Sequence, residues 1–507
     1  MALFNSILSW LMKKRIHQMA LFLKYPCEVQ DEWLKKLISI AKDTEWGKKH
    51  EYNSINSLKQ FKERVPIQDY ESLKPYIMRL MKTEQNILWP SEIKWFSKSS
   101  GTTSEKSKFI PVSQEALEEC HFKGGKDVLT IYCNNNPDTE LFTGKALTLG
   151  GSHQINSYNN TSYIGDLSSI LIQNTPYWIE LIRTPDRSIA LMDEFEKKIQ
   201  KIGEVTLKEN VTNLTGVPSW TLVLLNYLLE KSGKNNLLEI WPNLELFMHG
   251  GINFGPYRKQ YEKIIPSTDM NYLETYSASE GFFGIQDLPR CNEMLLMLDY
   301  GIYYEFMPVD ELDPALGGTE TISLEEVKLN KIYALVISTN AGLWRYMIGD
   351  TIRFTSLNPY RIQVAGRTKH FINAFGEELI IDNAEKALEI ACRKCNAIIT
   401  EYTAGPIYMN DKRSGAHEWL IEFLKKPVDI NFFTETLDNA LKSLNSDYEA
   451  KRMGNMTLRQ PVVTEMPEGI FFNWMKSKDK LGGQNKVPRL ANDRKYLDDL
   501  LEFRHDK

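Results

Sequence analysis

The sequence predicts an α/β protein with a large N-terminal part, sheets flanked by helices plus a small barrel-like β portion, and a smaller α+β C-terminal part. Three observations carry this expectation. Between residues 90 and 350 short β-like runs alternate with helical ones, the pattern that places helices on the faces of a parallel sheet. From 300 to 368 the helical spacing gives way to three β-like runs divided by polar or glycine turns, at 303–307, 331–337 and 361–364. After Gly366-Arg367-Thr368-Lys369 the character changes again, to a helix (383–395), a strand-like run (419–424), a helix (431–446) and a Lys/Gly-rich stretch (476–489). The expected domains are therefore 1–368 and 369–507.

Taken in order, residues 1 to about 85 read as helical and connective, with Asp31 to Ile38 showing 3.6-type spacing. Ile93-Lys94-Trp95-Phe96 and Lys108-Phe109-Ile110-Pro111-Val112 are aromatic and β-branched and read as strands. Ala146 to Leu149 and Leu244 to Met248 read the same way, while 219–231 and 256–265 carry helical spacing. No internal repeat or low-complexity tract is present.

Composition narrows the function class. The chain has 507 residues, 42% of them hydrophobic, which is ample for cores in more than one domain. Its net charge of −5 offers no bulk attraction to nucleic acid or an anionic membrane. Six scattered cysteines make no disulfide framework, and Cys392-x-x-Cys395 lies in a helical stretch with no second pair or histidine partner, so buried thiols are expected there instead of zinc ligands. At the N-terminus Leu3, Phe4, Ile7, Leu8 and Leu11 precede Lys13-Lys14-Arg15, the reverse of a secretory signal and too short to span a bilayer. The apolar run from Trp220 to Leu229 reads as a buried helix. A soluble cytoplasmic protein is expected.

Five segments carry chemistry. Ser97-Lys98-Ser99-Ser100-Gly101-Thr102-Thr103-Ser104-Glu105-Lys106 joins strand to strand and combines hydroxyls, a glycine and two lysines, the groups a polyphosphate needs. It is no P-loop, because Lys106 stands where the second glycine belongs and no helix follows. An ordinary polar hairpin turn is the alternative. Tyr276-Ser277-Ala278-Ser279-Glu280 ends an apolar run and offers an aromatic face, hydroxyls and a carboxylate suited to phosphate-bound magnesium, or simply a solvated strand end. Asp350, after Gly349, has the chemistry to accept from ribose hydroxyls or to cap a turn. Val364 to Leu379 sits where composition changes, so it can act as a hinge as well as a contact. Leu481-Gly482-Gly483-Gln484-Asn485-Lys486-Val487-Pro488-Arg489 presents a lysine in a glycine-rich loop, or is a basic tail.

In this order the segments resemble the adenylate-forming superfamily of acyl-CoA synthetases, luciferases and peptide-synthetase adenylation domains. The match is Ser99-Ser100-Gly101-Thr102-Thr103, Tyr276-Ser277-Ala278-Ser279-Glu280, Tyr346-Met347-Ile348-Gly349-Asp350, Gly366-Arg367-Thr368-Lys369 and a C-terminal lysine. More narrowly, Phe375-Gly376-Glu377-Glu378 and Gln484-x-Lys486-x-Pro488-Arg489 are similar to the auxin-responsive Gretchen Hagen acyl acid amido synthetases and their bacterial relatives. Two departures stand out: Ser277 replaces the usual glycine, and the arginine expected after Tyr346 stands one place before it, as Arg345.

The resemblance implies that Ser99, Ser100, Thr102, Thr103 and the Gly101 backbone hold the β- and γ-phosphates of ATP. Gly250 and Gly251 would wall the adenine and Tyr276 would lie against it. Ser279 would touch the α-phosphate, Glu280 would bind Mg2+, and Asp350 with Arg367 would clasp the ribose. Lys369 would be the pivot of a mobile C-terminal domain, and Lys486 the catalytic cation. The implied activity is ATP-dependent adenylation of a small carboxylic acid and acyl transfer to an amine, with an amino acid as the expected acceptor. An acyl-CoA ligase and a nucleotide-binding protein without turnover are the alternatives. The helix after Ser113, with Lys123 and Lys126, is offered as lining for the acid's pocket.

Overall fold

A computed structural model of the chain describes residues 14–99, 108–150, 153–154, 161–192, 194–251, 254–308, 320–367, 371–372, 377, 379–408, 414–445, 448–449, 452, 458–478, 487–491 and 493–505. The apolar N-terminal spacing at residues 3–11 lies outside them. The chain divides into two compact units, 1–252 with 267–364, and 253–266 with 365–507. The short segment 253–266 is the departure from a simple cut: it leaves the first unit after one strand, joins the second, and returns.

Among the described residues fifteen strands carry the larger unit: β1 (Trp95–Ser99), β2 (Lys108–Val112), β3 (Lys145–Thr148), β4 (His153–Gln154), β5 (Tyr163–Gly165), β6 (Arg183–Thr184), β7 (Val211–Gly216), β8 (Leu246–Gly250), β9 (Asn271–Ala278), β10 (Gly281–Ile285), β11 (Met294–Leu296), β12 (Ile302–Pro308), β13 (Ile332–Thr339), β14 (Tyr346–Leu357) and β15 (Tyr360–Arg367). Eleven of them form one sheet in the order β12-β13-β14-β15-β11-β10-β9-β8-β7-β3-β6. From β6 to β9 neighbours run parallel. Beyond β9 the pairings β9–β10, β10–β11, β11–β15, β14–β13 and β13–β12 are antiparallel. The antiparallel portion expected over 300–368 thus extends the parallel sheet, and β9 is the strand at which direction changes. A second sheet, β2-β1-β5-β4, pairs β1 antiparallel with β2 and parallel with β5.

The sequence explains these elements locally. Strands β12 and β13 are nearly continuous apolar runs and are buried along almost their whole length, as strands covered on both faces must be. Helix Pro26–Ala41 starts with proline at its first turn and buries Leu34, Leu37, Ile38 and Ala41, one face at 3.6 spacing. Asp69 and Ser72 close a capping box on helix Tyr70–Met81. Helix Pro218–Ser232 stops at Gly233, whose φ of +66° suits a left-handed C-cap. The core holds Trp46, Trp89 and Trp344, the last donating its indole N–H to the Leu88 carbonyl (3.0 Å). No helix among the described residues is long and apolar enough to cross a membrane.

The smaller unit pairs the short strands β16 (Phe371–Ile372) and β17 (Leu379–Ile380) and builds a three-stranded sheet from β18 (Ile398–Ile407), β19 (Ala416–Lys425) and β20 (Val462–Met466). Side chains alternate along β19. Trp419 and Ile421 face helices Ile381–Cys395 and Ile430–Leu444, whereas Leu420 faces helices Ile470–Ser477 and Lys495–His505. Both faces are therefore covered. Cys392 and Cys395 are free thiols on the first of these helices, and burial pushes the Cys392 thiol up to about 12. No group of three His, Cys, Asp or Glu side chains suited to a metal occurs among the described residues.

Candidate active site

In open α/β sheets ligands bind beyond the carboxyl ends of the parallel strands, where strand order or direction changes. Here that place is the end of β8 and β9. Gly250, the last residue of β8, lies opposite Thr275 of β9. A Cβ on Gly250 would stand 2.4 Å from the Thr275 carbonyl oxygen, so no side chain fits. Gly251 follows with φ +81°, a conformation that side chains disfavour. The bare backbone there has two separate causes.

Strand β9 turns into β10 through the two residues Ser279 and Glu280, with Ala278 opposite Gly281. Ser279 is buried and Glu280 half-buried. The Ser97 hydroxyl donates to the Ser279 hydroxyl at 2.9 Å, both inside the protein. Ser97 belongs to β1, the strand that runs into the hydroxyl-rich loop. The root of that loop and the β9–β10 turn are thus in direct contact.

Asp350 owes its position to an irregularity in β14. Ala334 of β13 lies opposite Thr351, but Val336 lies opposite Met347, so one residue of β13 spans Ile348, Gly349 and Asp350. Gly349 takes φ +89° at this bulge, which explains the glycine. The bulge re-aims the next side chain, and the Asp350 carboxylate accepts the Tyr276 hydroxyl at 2.8 Å in a buried contact. The Tyr276 ring packs on Phe283 with centroids 4.9 Å apart and is 7% exposed. A stacking face was expected of Tyr276; its hydroxyl bond to Asp350 was not.

Arg345 is held inside the protein. Its guanidinium holds Glu305 through two bonds (2.9 and 3.0 Å) and donates to Thr321 Oγ1 (3.0 Å) and the carbonyls of Lys62 (3.1 Å) and Val65 (2.7 Å). The displaced arginine of the sequence pattern is therefore a structural ion pair. Lys123 is likewise committed, to the Asp299 carbonyl (2.7 Å) and carboxylate (3.0 Å). The helix that carries it opens with a π-helical stretch, Ala116–Phe122, in which burial pushes the His121 imidazole down to about 4 and keeps it neutral.

Of the expected site residues, Gly250, Gly251, Tyr276, Ser279, Glu280 and Asp350 are described, all in the larger unit. Ser99 ends β1 and Arg367 ends β15; for both only the backbone is described. Ser100, Gly101, Thr102, Thr103, Lys369 and Lys486 lie outside the described residues. Two neighbours escaped the sequence reading. Ser97 sat inside the quoted loop without a role. Lys108, at the far end of the loop, brings its ammonium 3.5 Å from the Tyr346 hydroxyl, and its place at the first residue of β2 was the available signal.

This fold is that of the adenylate-forming ligases. 2-Hydroxyisobutyryl-CoA ligase, solved in its postadenylation state, superposes over 94% of this chain and 92% of its own with a TM-score of 0.60 at 12% identity. Sequence then fixes the family. Residues 15–270 match the GH3 family N-terminal domain, 295–367 the GH3 family central domain and 382–495 the GH3 family C-terminal domain. The first match alone spans half the chain, and the chain belongs to the GH3 family. The GH3.15 acyl acid amido synthetase has a TM-score of 0.78 at 18% identity, covering 94% of this chain and 93% of that one. Indole-3-acetic acid-amido synthetase GH3.4 of Arabidopsis thaliana is 24% identical over 546 aligned residues, 92% of this chain and 89% of the relative.

Proposed function

We propose that this chain is an AMP-forming ligase that activates a small carboxylic acid with ATP and passes the acyl group to the amine of an amino acid. One observation carries the reading within the molecule: the Ser97–Ser279 and Tyr276–Asp350 hydrogen bonds tie the root of the hydroxyl-rich loop, the β9–β10 turn and the bulge aspartate to β9, the strand where the sheet changes direction. Membership of the GH3 family and the named activity of its relatives supply the reaction class.

A carboxylate is a poor acyl donor because oxide would have to leave. Attack of its oxygen on the α-phosphorus forms an O–P bond, breaks the bridging P–O bond and expels pyrophosphate. The acyl-AMP then loses AMP when the amine nitrogen attacks the acyl carbon and sheds a proton. Ser99, Ser100, Thr102, Thr103 and the Gly101 backbone hold the β- and γ-phosphates, and Ser279 contacts the α-phosphate. Gly250 and Gly251 let the backbone approach the adenine, against which Tyr276 lies, while Asp350 and Arg367 accept and donate at the ribose. Lys486 brings an ammonium to the oxygens on which charge grows. Rotation of the smaller domain about Lys369 then withdraws it and admits the amine.

The single half-buried carboxylate of Glu280 suits Mg2+, which takes one or two protein carboxylates and otherwise waters and phosphate oxygens. When bound with the phosphates, magnesium neutralises charge on the departing pyrophosphate. Glu280→Ala is expected to raise the magnesium concentration for half-maximal rate by roughly 10-fold or more; an unchanged magnesium titration removes Glu280 from the site. Asp350→Ala is expected to raise the KM for ATP roughly 10- to 100-fold, the loss of charge-assisted hydrogen bonds of about 1.5–3 kcal/mol. Unaltered ATP saturation kinetics would reject that role. The free cysteines suit a reducing cytoplasm.

The reaction is tested by incubating the chain with ATP, magnesium, a panel of acids that includes indole-3-acetic acid, and either the twenty amino acids or coenzyme A, with mass spectrometry of the products. Amide conjugates and AMP are expected. Conjugation only to coenzyme A would favour a thioester ligase, the reading that the fold of the CoA ligase neighbour supports. Tight ATP binding with no product from any pair would leave a binding protein.

A further inference from the structure

The turn that carries Ser279 and Glu280 is held from outside its own hairpin. Gly281 lies opposite Ala278 and Phe282 opposite Ser277, but Gly284 lies opposite Tyr276, so Phe283 is an extra residue in β10. Only two ladder pairs separate the turn from this bulge, and the ladder alone gives the turn little support. The Phe282 N–H donates to the Cys120 sulfur at 3.2 Å in a buried contact. Cys120 lies in the π-helical stretch Ala116–Phe122, buried together with Leu117 and His121. Wide turns of this kind occur most often at functional sites. Burial pushes the Cys120 thiol up to about 12, so its sulfur is a neutral acceptor and an inert nucleophile.

The helix that follows, Lys123–Asn135, holds the Phe282 side chain. A Cβ on Gly124 would stand 2.6 Å from the Phe282 ring, so the glycine lets the ring lie against the helix backbone. Tyr300 meets the same ring edge-on, centroids 6.0 Å apart, and its hydroxyl donates to Asp127 of that helix at 2.7 Å. Main chain and side chain of Phe282, two residues after Glu280, are thus both held by one helical segment.

We infer that Cys120 is a positioning residue for the β9–β10 turn: by taking the Phe282 N–H it fixes the direction in which the Glu280 carboxylate leaves the turn, and with it the affinity for magnesium held with the phosphates. This rests on the metal-binding role given to Glu280 above. A partner that orients a metal ligand contributes ~10- to 100-fold in metal affinity. Cys120 acts through the backbone and not on the carboxylate itself, so its loss is expected to cost about 3- to 10-fold.

The test needs neither the acid nor turnover. Titration calorimetry of the full-length protein with α,β-methylene-ATP, in magnesium and again in EDTA, gives the factor by which magnesium tightens the nucleotide. Cys120→Ala and Cys120→Val both lack the acceptor, and valine refills the volume that alanine leaves. Both should lower that factor by about 3- to 10-fold. Cys120→Ser differs from Cys120→Ala by one oxygen and should stay within about twofold of wild type. A merely structural cysteine predicts the opposite order, because a buried hydroxyl packs no better than a methyl and costs more to desolvate. An unfolded fraction lowers the number of sites and not their Kd, so lost stability is not mistaken for lost position. A wild-type factor in Cys120→Ala and Cys120→Val, or Cys120→Ser shifted as far as Cys120→Ala, would overturn the inference. Glu280→Ala run in parallel separates the two levels. If it leaves the factor unchanged, the metal-binding role of Glu280 fails and the inference with it. If it lowers the factor and Cys120→Ala does not, only the positioning role fails.

Discussion

Lys486→Ala is expected to slow acyl-adenylate formation by ~10²- to 10³-fold while leaving ATP affinity nearly unchanged. The asymmetry follows from where the charge appears. On the proposed reading the α-phosphate of bound ATP carries its ordinary charge, with the Ser279 hydroxyl beside it. In the transition state the entering carboxylate adds negative charge to the same oxygens, and an ammonium brought there late stabilises that state alone. Loss of such a group lowers kcat with little effect on KM. Pyrophosphate exchange measures the rate and titration calorimetry the affinity. Exchange at the wild-type rate in this variant would reject the role of Lys486.

Arg345→Met is expected to destabilise the larger unit by about 3 kcal/mol, the low end of the cost of breaking a buried ion pair, because the Thr321 hydroxyl and the Lys62 ammonium stay beside Glu305. Glu305 is fully buried and Arg345 nearly so, and the guanidinium donates to two carbonyls and a hydroxyl besides the carboxylate. Removing it leaves the buried Glu305 carboxylate with only the Thr321 hydroxyl and, at 4.0 Å, the Lys62 ammonium, and takes a donor from the Lys62 and Val65 carbonyls. Arg345 also sits at φ +43°, immediately before the strand that carries Asp350, so the ion pair holds an unfavourable backbone turn in place. The denaturation midpoint in urea measures the loss. Because a matched apolar pair carries no stranded charge, Arg345→Met combined with Glu305→Leu should recover part of it. A midpoint within error of wild type for the single variant would contradict the structural role of Arg345.

What the sequence made legible was local. Strand and helix positions followed from periodicity, so Lys108–Val112, Ile332–Thr339 and the helix ending at Cys395 were readable within a residue or two. The order of the chemical segments was also readable, because glycines, hydroxyls and carboxylates at strand ends need no tertiary knowledge. Pairings across long separations were not. The Tyr276–Asp350 bond joins residues 74 apart, through a bulge whose only sequence trace is Gly349. Ser97 and Ser279 are 182 apart. Arg345 stood out only as an arginine one place off the pattern, because nothing in the sequence ties it to Glu305, 40 residues away in the run at 303–307. Helix Gly255–Ile264 could not be assigned either: it follows Gly250-Gly251 closely in the chain, yet groups with the smaller unit through Tyr257 and Gln260. Chain proximity is a poor guide when a segment crosses between units and returns.

The most direct test of adenylation is acid-dependent exchange of radiolabelled pyrophosphate into ATP, run without amine or coenzyme A. Attack at the α-phosphorus requires label to enter ATP only when acid and magnesium are present, and the subsequent addition of amino acid to release AMP. Release of ADP and phosphate with no exchange for any acid would mean attack at the γ-phosphorus, and the nucleotide chemistry assigned to Ser279, Glu280 and Asp350 would be wrong.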